Sequence, residues 1–358
     1  MLYNNFCEGE KMYYNWKENI KKEELEIICN LIKNGETVVF PTETVYGIGA
    51  NALDIDAVKK IFEAKGRPSD NPLIVHLAEK EKITEIAKDI TEMEWKLIDA
   101  FMPGPFTIIL KRKEIIPDIV TARLDTVAVR IPKNDISKEI IKGTGLPIAA
   151  PSANISGKPS GTTFNTVRSE LEDKVAAIID GGETEIGLES TVVKVIDNIP
   201  VILRPGKVTP EDIQRVVGIV KVDDKILKKV EENQVVESPG MKYKHYSPDS
   251  KCKLIYFEDE DIQIEKMNQI IEEYNKNVIV LGFEEHKESL KISENKFITI
   301  GSKDNLDEMA KKIYEALREA DKLRPELILI EGTKSEGLGI AIMNRLLRTC
   351  NYDFLTDK

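Results

Sequence analysis

The chain has 358 residues, 41% of them hydrophobic and 32% charged, with 51 Lys+Arg against 62 Asp+Glu and a formal net charge of -11. At roughly 150 residues per domain that length suggests about two domains, and the apolar content is enough for real cores, which excludes wholesale disorder. No apolar run approaches the ~18 residues that cross a bilayer, and neither residues 249–358 nor the remainder is basic, so coating nucleic acid would lack its electrostatic drive.

In chain order, Thr37 to Phe40 reads as a strand stopped by Pro41. Ala57 to Ala64 has helical spacing and ends at Gly66, with Pro68 beyond. Strands are expected at Leu73 to Leu77, Thr107 to Leu110, Thr126 to Ile131, Pro147 to Ala150, Ala176 to Ile179, Thr191 to Val195 and Val201 to Leu203. Strands alternating with helical stretches predict a mixed α/β sheet. Thr209-Pro210-Glu211-Asp212 opens a helix, with a capping Thr, Pro at the first position and acids in the first turn. Residues 238 to 248, which hold two prolines, a glycine, Tyr243, His245 and Tyr246, read as a linker. Beyond it, strands at Lys253 to Phe257, Val278 to Leu281, Phe297 to Ile300 and Leu327 to Ile330, with helices near 264–275 and 306–323, predict a second, smaller α/β domain.

Cys7, Cys29, Cys252 and Cys350 are scattered, with no CxxC, which argues against a disulfide framework or zinc site and fits a reducing cytoplasm. The start, Met1 to Asn5, lacks the basic and apolar segments of a secretion signal. There is no GxxxxGK[ST], no strand-to-helix GxGxxG, no GxSxG and no HExxH. With three histidines, His76, His245 and His286, a Ser-His-Asp triad or a His-rich metal site has little to draw on. His76, inside an apolar strand, reads first as a core histidine.

What remains is a set of polar, bend-rich segments that follow expected strands: Pro41 to Gly47, Lys65 to Pro72 and Pro151 to Gly157. In open α/β sheets ligands gather where strands end. Gly66 and Pro68 break the helix around Arg67, so Lys65 and Arg67 are expected on one face of an extended segment, aimed at one anion. Dipole-capping cations are the plainer alternative. Ser152 and Asn154 form a similar pair suited to phosphate or ribose oxygens. Arg130 and Arg204 each end an apolar strand, so each needs a buried carboxylate or an anionic ligand. Glu189-Ser190-Thr191 reads as an ordinary beginning of a strand.

Taken together, Phe40-Pro41-Thr42-Glu43-Thr44-Val45-Tyr46-Gly47, Lys65-Gly66-Arg67 with Asn71-Pro72-Leu73, Pro103-Gly104-Pro105, Ser152-Ala153-Asn154, Glu189-Ser190-Thr191 and Arg204-Pro205-Gly206 resemble the threonylcarbamoyl-AMP synthase family, built on the YrdC-like domain. The likeness spans about 16 to 206 and is to the long, two-domain form. It implies a YrdC-like twisted mixed sheet with helices around a concave pocket over 16–207, a helical segment and lid-like linker over 208–248, and a small Rossmann-like α/β domain over 249–358. The implied reaction joins L-threonine, bicarbonate and ATP into threonylcarbamoyl-adenylate with release of pyrophosphate. Its product would pass to a downstream threonylcarbamoyl transferase complex that modifies tRNA beside the anticodon, with tRNA itself met only indirectly. The resemblance places Thr44, His76, Arg130, Ser190 and the backbone of Ala150 around threonine and bicarbonate. It places Lys65, Arg67, Asn71, Thr126, Ser152, Asn154, Ser160, Arg204 and Tyr246 around ATP, with Lys65 and Arg67 offsetting charge on the departing pyrophosphate. Mg²⁺ would be held mainly through phosphate oxygens, with no protein ligand set. The competing readings are a non-catalytic RNA-binding module of the same fold and a unit serving hydrogenase maturation. The second normally carries acylphosphatase and zinc-finger portions, for which this chain has neither the length nor the CxxC pairs.

Overall fold

The structure, a computed structural model, describes residues 12–228, 246–274 and 277–357. Strands β1 (Met12–Asn15), β2 (Val38–Phe40), β3 (Gly47–Asn51), β4 (Ile74–His76), β5 (Ala87–Lys88), β6 (Phe106–Arg112), β7 (Thr126–Arg130), β8 (Ile148–Ala149), β9 (Ala177–Asp180), β10 (Thr191–Ile196), β11 (Ile199–Arg204) and β12 (Lys221–Val222) form one mixed sheet. Its order is β1-β9-β2-β3-β8-β4-β7-β6-β10-β11-β12, with β5 beside β6. Helices α1 (Lys22–Lys33), α2 (Ile55–Lys65), α3 (Ile83–Ile86), α4 (Glu92–Phe101), α5 (Asp118–Thr121), α6 (Asp135–Thr144), α7 (Phe164–Leu171) and α8 (Pro210–Val217) connect and cover it.

The period of two along each strand splits the core. Val38 and Phe40 pack with Ile28 and Ile32 of α1 and Ile140 and Ile141 of α6, whereas Val39 joins Ile61 of α2 and Leu97 of α4 on the other face. Helix α2 begins where the Asp54 carboxylate accepts from the amides of Asp56 and Ala57, and it stops at Gly66, which is left-handed at φ 60°.

One difference from the sequence reading matters here. The sequence reading ends its bend-rich segment at Gly47 and assigns no element to 48–51, yet Gly47–Asn51 is a strand between β2 and β8. Gly49 is required there: a Cβ on it would lie 2.5 Å from the Phe40 ring. The segment after residue 207 packs on the first sheet. The Thr209–Asp212 capping box starts α8, whose Ile213 enters the first core, and β12 pairs with β11.

The carboxy-terminal domain is a parallel sheet of β13 (Cys252–Tyr256), β14 (Val278–Gly282), β15 (Phe297–Thr299), β16 (Leu327–Glu331) and β17 (Phe354–Thr356), ordered β15-β14-β16-β13-β17. Helix α9 (Glu260–Glu273) covers one face, and α10 (Leu306–Lys322) and α11 (Leu338–Thr349) cover the other. The α10–α11 layer also buries Val45, Leu188 and Tyr246, which binds this domain to the loops of the first. His286 is buried, with Nδ1 on the Glu331 carboxylate at 2.5 Å. Among the described residues no helix is long and apolar enough to cross a membrane.

Candidate active site

A cleft lies where the ends of β4, β7 and β11 meet the loops after β2, α2 and β8 and the segment before β10. The β2–β3 loop is stitched by Thr42, whose hydroxyl donates to the Val45 carbonyl at 2.6 Å and lies 2.8 Å from the Thr44 hydroxyl. This folds Glu43 inward and leaves Thr44 facing the cleft.

Parallel pairing of β4 with β7 sets His76 beside Arg130. Arg130 donates to the Thr44 hydroxyl at 2.9 Å and to the Gly104 carbonyl at 3.3 Å, and its guanidinium stands 2.9 Å from the Glu43 carboxylate. Both partners of that ion pair are buried. Burial alone would raise the Glu43 pKa, but the Arg130 charge outweighs it and holds the carboxyl below its ordinary value. Arg130 therefore has the buried carboxylate that its sequence position demanded, and it also lines the cleft. His76 is pushed down to about 3, first by burial and then by Arg130, so its ring is neutral near pH 7.

The opposite wall is built differently. Glu189, two residues before β10, accepts from the Ser160 hydroxyl and faces Arg204, which donates to the Ser190 carbonyl at 2.9 Å and hydroxyl at 3.1 Å. Two groups of the carboxy-terminal domain reach the same carboxylate: Arg345 Nε at 2.9 Å and the Tyr314 hydroxyl at 3.0 Å. Burial opposes the anion, yet Arg345 and Arg204 hold Glu189 at about 2. Tyr246, buried, lines the cleft and stacks on Tyr314 with ring centroids 5.4 Å apart.

Of the residues singled out from sequence, Thr44, Arg67, His76, Arg130, Ala150, Ser152, Asn154, Ser160, Arg204 and Tyr246 line this one cleft. Lys65, Asn71, Thr126 and Ser190 do not. The expectation that Lys65 and Arg67 share an extended face needs correction, because Gly66 between them is left-handed rather than extended. Arg67 faces the cleft, while the Lys65 ammonium is buried and donates to the carbonyls of Ser152 at 2.5 Å and Asn154 at 2.6 Å. Burial, aided by Arg67, pushes the Lys65 pKa well below its ordinary value. Lys65 thus pins the Ser152–Asn154 loop from behind. Asn71 is buried beside Arg67, which donates to its carbonyl at 3.5 Å. Thr126 starts β7, four residues before Arg130, which is about 13 Å along a strand. Ser190 stands directly behind the wall, its hydroxyl 2.7 Å from that of Thr107. Tyr243 and His245 lie outside the described residues.

Sequence reasoning passed over Glu43, Glu189, Tyr314 and Arg345. Arg345 carried a signal: it is a cation within the apolar run Leu338 to Leu347, where a charge demands a buried partner.

Residues 30–206 match a Sua5/YciO/YrdC domain family described as "Telomere recombination", and 208–350 match "Threonylcarbamoyl-AMP synthase, C-terminal domain". A curated relative from Pyrococcus abyssi, named threonylcarbamoyl-AMP synthase, is 42% identical over 94% of this chain and 97% of its own. One of the same name from Bacillus subtilis is 42% identical over 89% and 90%. The crystal structure of P. abyssi Sua5 complexed with L-threonine superposes with a TM-score of 0.89 at 40% identity, covering 97% of this chain and all of that one. With agreement of sequence and fold across both domains, the chain belongs to the threonylcarbamoyl-AMP synthase family.

Proposed function

We propose that this enzyme makes L-threonylcarbamoyl-adenylate from L-threonine, bicarbonate and ATP, releasing pyrophosphate, for threonylcarbamoylation of tRNA. The observation that carries the reading is the convergence of Thr44, His76, Arg130, Ser152, Asn154 and Arg204 on one cleft, in a chain 42% identical to threonylcarbamoyl-AMP synthases over nearly its whole length.

In this reading Arg130, Thr44 and the Ala150 backbone hold the threonine carboxylate and the nascent carbamate. The neutral amine of threonine attacks the bicarbonate carbon, and one amine proton leaves with the bicarbonate hydroxyl as water. His76, neutral and with a pKa of about 3, serves there as a hydrogen-bond partner and not as a base. A carbamate oxygen then attacks the α-phosphorus, and the bond to the bridging oxygen breaks as pyrophosphate departs. The step needs alignment and charge neutralisation more than a protein nucleophile. Arg67, Ser152, Asn154 and Arg204 supply these from the cleft wall, with Lys65 fixing the Ser152–Asn154 loop. Tyr246 closes over the nucleotide and excludes water. Among the described residues no group of three or more His, Cys, Asp or Glu could hold a metal, and Glu43 and Glu189 are engaged by arginines. In this reading Mg²⁺ would arrive on the ATP phosphates and neutralise their charge there.

The decisive assay is pyrophosphate release from ATP by the full chain. Release that requires threonine and bicarbonate together supports the reading; none with all three substrates and Mg²⁺ present ends it.

A further inference from the structure

We infer that the carboxy-terminal domain supplies positioning residues for the nucleotide half of the site: Arg345, with Tyr314, sets and neutralises Glu189. The inference rests on the proposed function and adds to it a requirement that the catalytic sheet cannot meet alone.

A carboxylate in the wall of a pocket for a polyanion is a liability unless its charge is countered. Glu189 lines the cleft, and among the described residues its partners within its own domain are the Ser160 hydroxyl and the nearby Arg204, whose Nε and a terminal nitrogen donate to the Ser190 carbonyl. The remaining compensation crosses between domains. Arg345, on α11, is 1% exposed and donates from Nε to Glu189 at 2.9 Å. Its first terminal nitrogen is fixed by the neighbouring Asn344 side chain at 2.7 Å, which holds the guanidinium in one orientation. Tyr314, on α10 and wholly buried, donates to the same carboxylate at 3.0 Å. The same two residues back Tyr246: Tyr314 stacks on its ring, and the Arg345 guanidinium carbon lies 5.6 Å from its centroid. One guanidinium thus fixes the charge of one wall group and supports the packing of the next. Ser160, its proton committed to Glu189, presents acceptor lone pairs to the cleft. That polarity suits a ribose hydroxyl or an adenine amino group better than a phosphate oxygen.

The test titrates ATP into the full chain by calorimetry and follows pyrophosphate release alongside, for wild type, Arg345→Met, Arg345→Lys and the double variant Arg345→Met with Glu189→Gln. Arg345→Met is expected to weaken ATP binding by about tenfold or more, with the KM for threonine changed by no more than roughly twofold. Arg345→Lys should keep part of the affinity. The double variant should bind ATP more tightly than Arg345→Met, because a neutral amide no longer repels the triphosphate. Loss of packing alone would give no such rescue. Should Arg345→Met melt before it can be titrated, Arg345→Lys decides. Wild-type ATP affinity in the arginine variants, or equal losses for ATP and threonine without rescue, overturns the inference while wild-type turnover keeps the functional reading intact. A wild type that neither binds ATP nor releases pyrophosphate removes both.

Discussion

The two walls of the cleft solve the same problem, a buried arginine beside a buried carboxylate, in two ways. Arg130 and Glu43 come from strands and loops of one sheet, and their neighbours Thr44 and Gly104 belong to that sheet as well. Glu189 accepts from Ser160 of its own domain and, across the domains, from Tyr314 of α10 and Arg345 of α11. In the proposed function, the comparison separates what the catalytic sheet would do by itself, holding a small zwitterion, from what it would do only with its companion domain, holding a nucleotide. A family member lacking the second domain would have to counter this carboxylate by other means.

The contrast breaks most forcefully at Glu43. Glu43→Gln leaves Arg130 buried without its counter-charge, at a cost of about 3–5 kcal/mol in stability. Urea unfolding should report that loss, and the KM for threonine should rise while ATP affinity holds. An equal rise for ATP would show that the walls are not independent.

Gly187 offers the complementary cut. It has φ 81°, and a Cβ there would lie 2.5 Å from the Ala310 carbonyl and the Lys311 Cα, both on α10. Gly187→Ala must push α10 away two residues before Glu189. We expect ATP affinity to fall about tenfold or more, with threonine binding nearly unchanged. Titration of each substrate checks it, and matched losses would contradict the division. A smaller change, Tyr314→Phe, removes one hydrogen bond to an anion, about 1.5–3 kcal/mol. It should raise the ATP Kd without altering threonine binding.

The mildest effects near neutrality concern the two buried histidines. His76 in the fold resists protonation down to about 3, whereas the unfolded chain takes up a proton near pH ~6.5. Its contribution to stability is present above that ordinary value and is lost as pH falls from there toward 3. His286 is the reverse: its hydrogen bond to Glu331 raises its pKa. Its contribution is full below about 6.5 and is lost as pH rises through the raised value. Thermal melts of His76→Gln should flatten the acid limb, and those of His286→Gln the decline that sets in as pH rises past about 6.5. If either profile matches wild type, that histidine is not buried as described.

The loops of the threonine wall were readable because each lies next to the strand that aims it, and Phe40 to Gly47 names its own turn chemistry. Gly47–Asn51 was not readable as a strand, since Gly-Ile-Gly-Ala-Asn lacks β propensity and is held by its neighbours and by the space that Gly49 leaves for Phe40. Helix α11 was missed for another reason. Residues 341 to 349 are buried throughout, so no polar face marks the helical period. Lys65 was assigned the right neighbourhood and the wrong direction, because one left-handed glycine decides whether residues two apart share a face. Arg345 could be marked as needing a partner, but its partner is 156 residues away, beyond any local pattern.

The order in which the sheet is laid down has a consequence for timing. Strand β9 lies between β1 and β2, so β1 waits for residues 177–180 before it joins, whereas β2 already pairs with β3. Such distant pairing makes for slow closure. The last support of the nucleotide wall, on α11, follows far later in synthesis. On a ribosome, and in the proposed function, the chain would complete the wall of Arg130 and Glu43 well before that of Glu189, and so would pass through a long stretch of its birth with the place for one substrate built and that for the other unfinished.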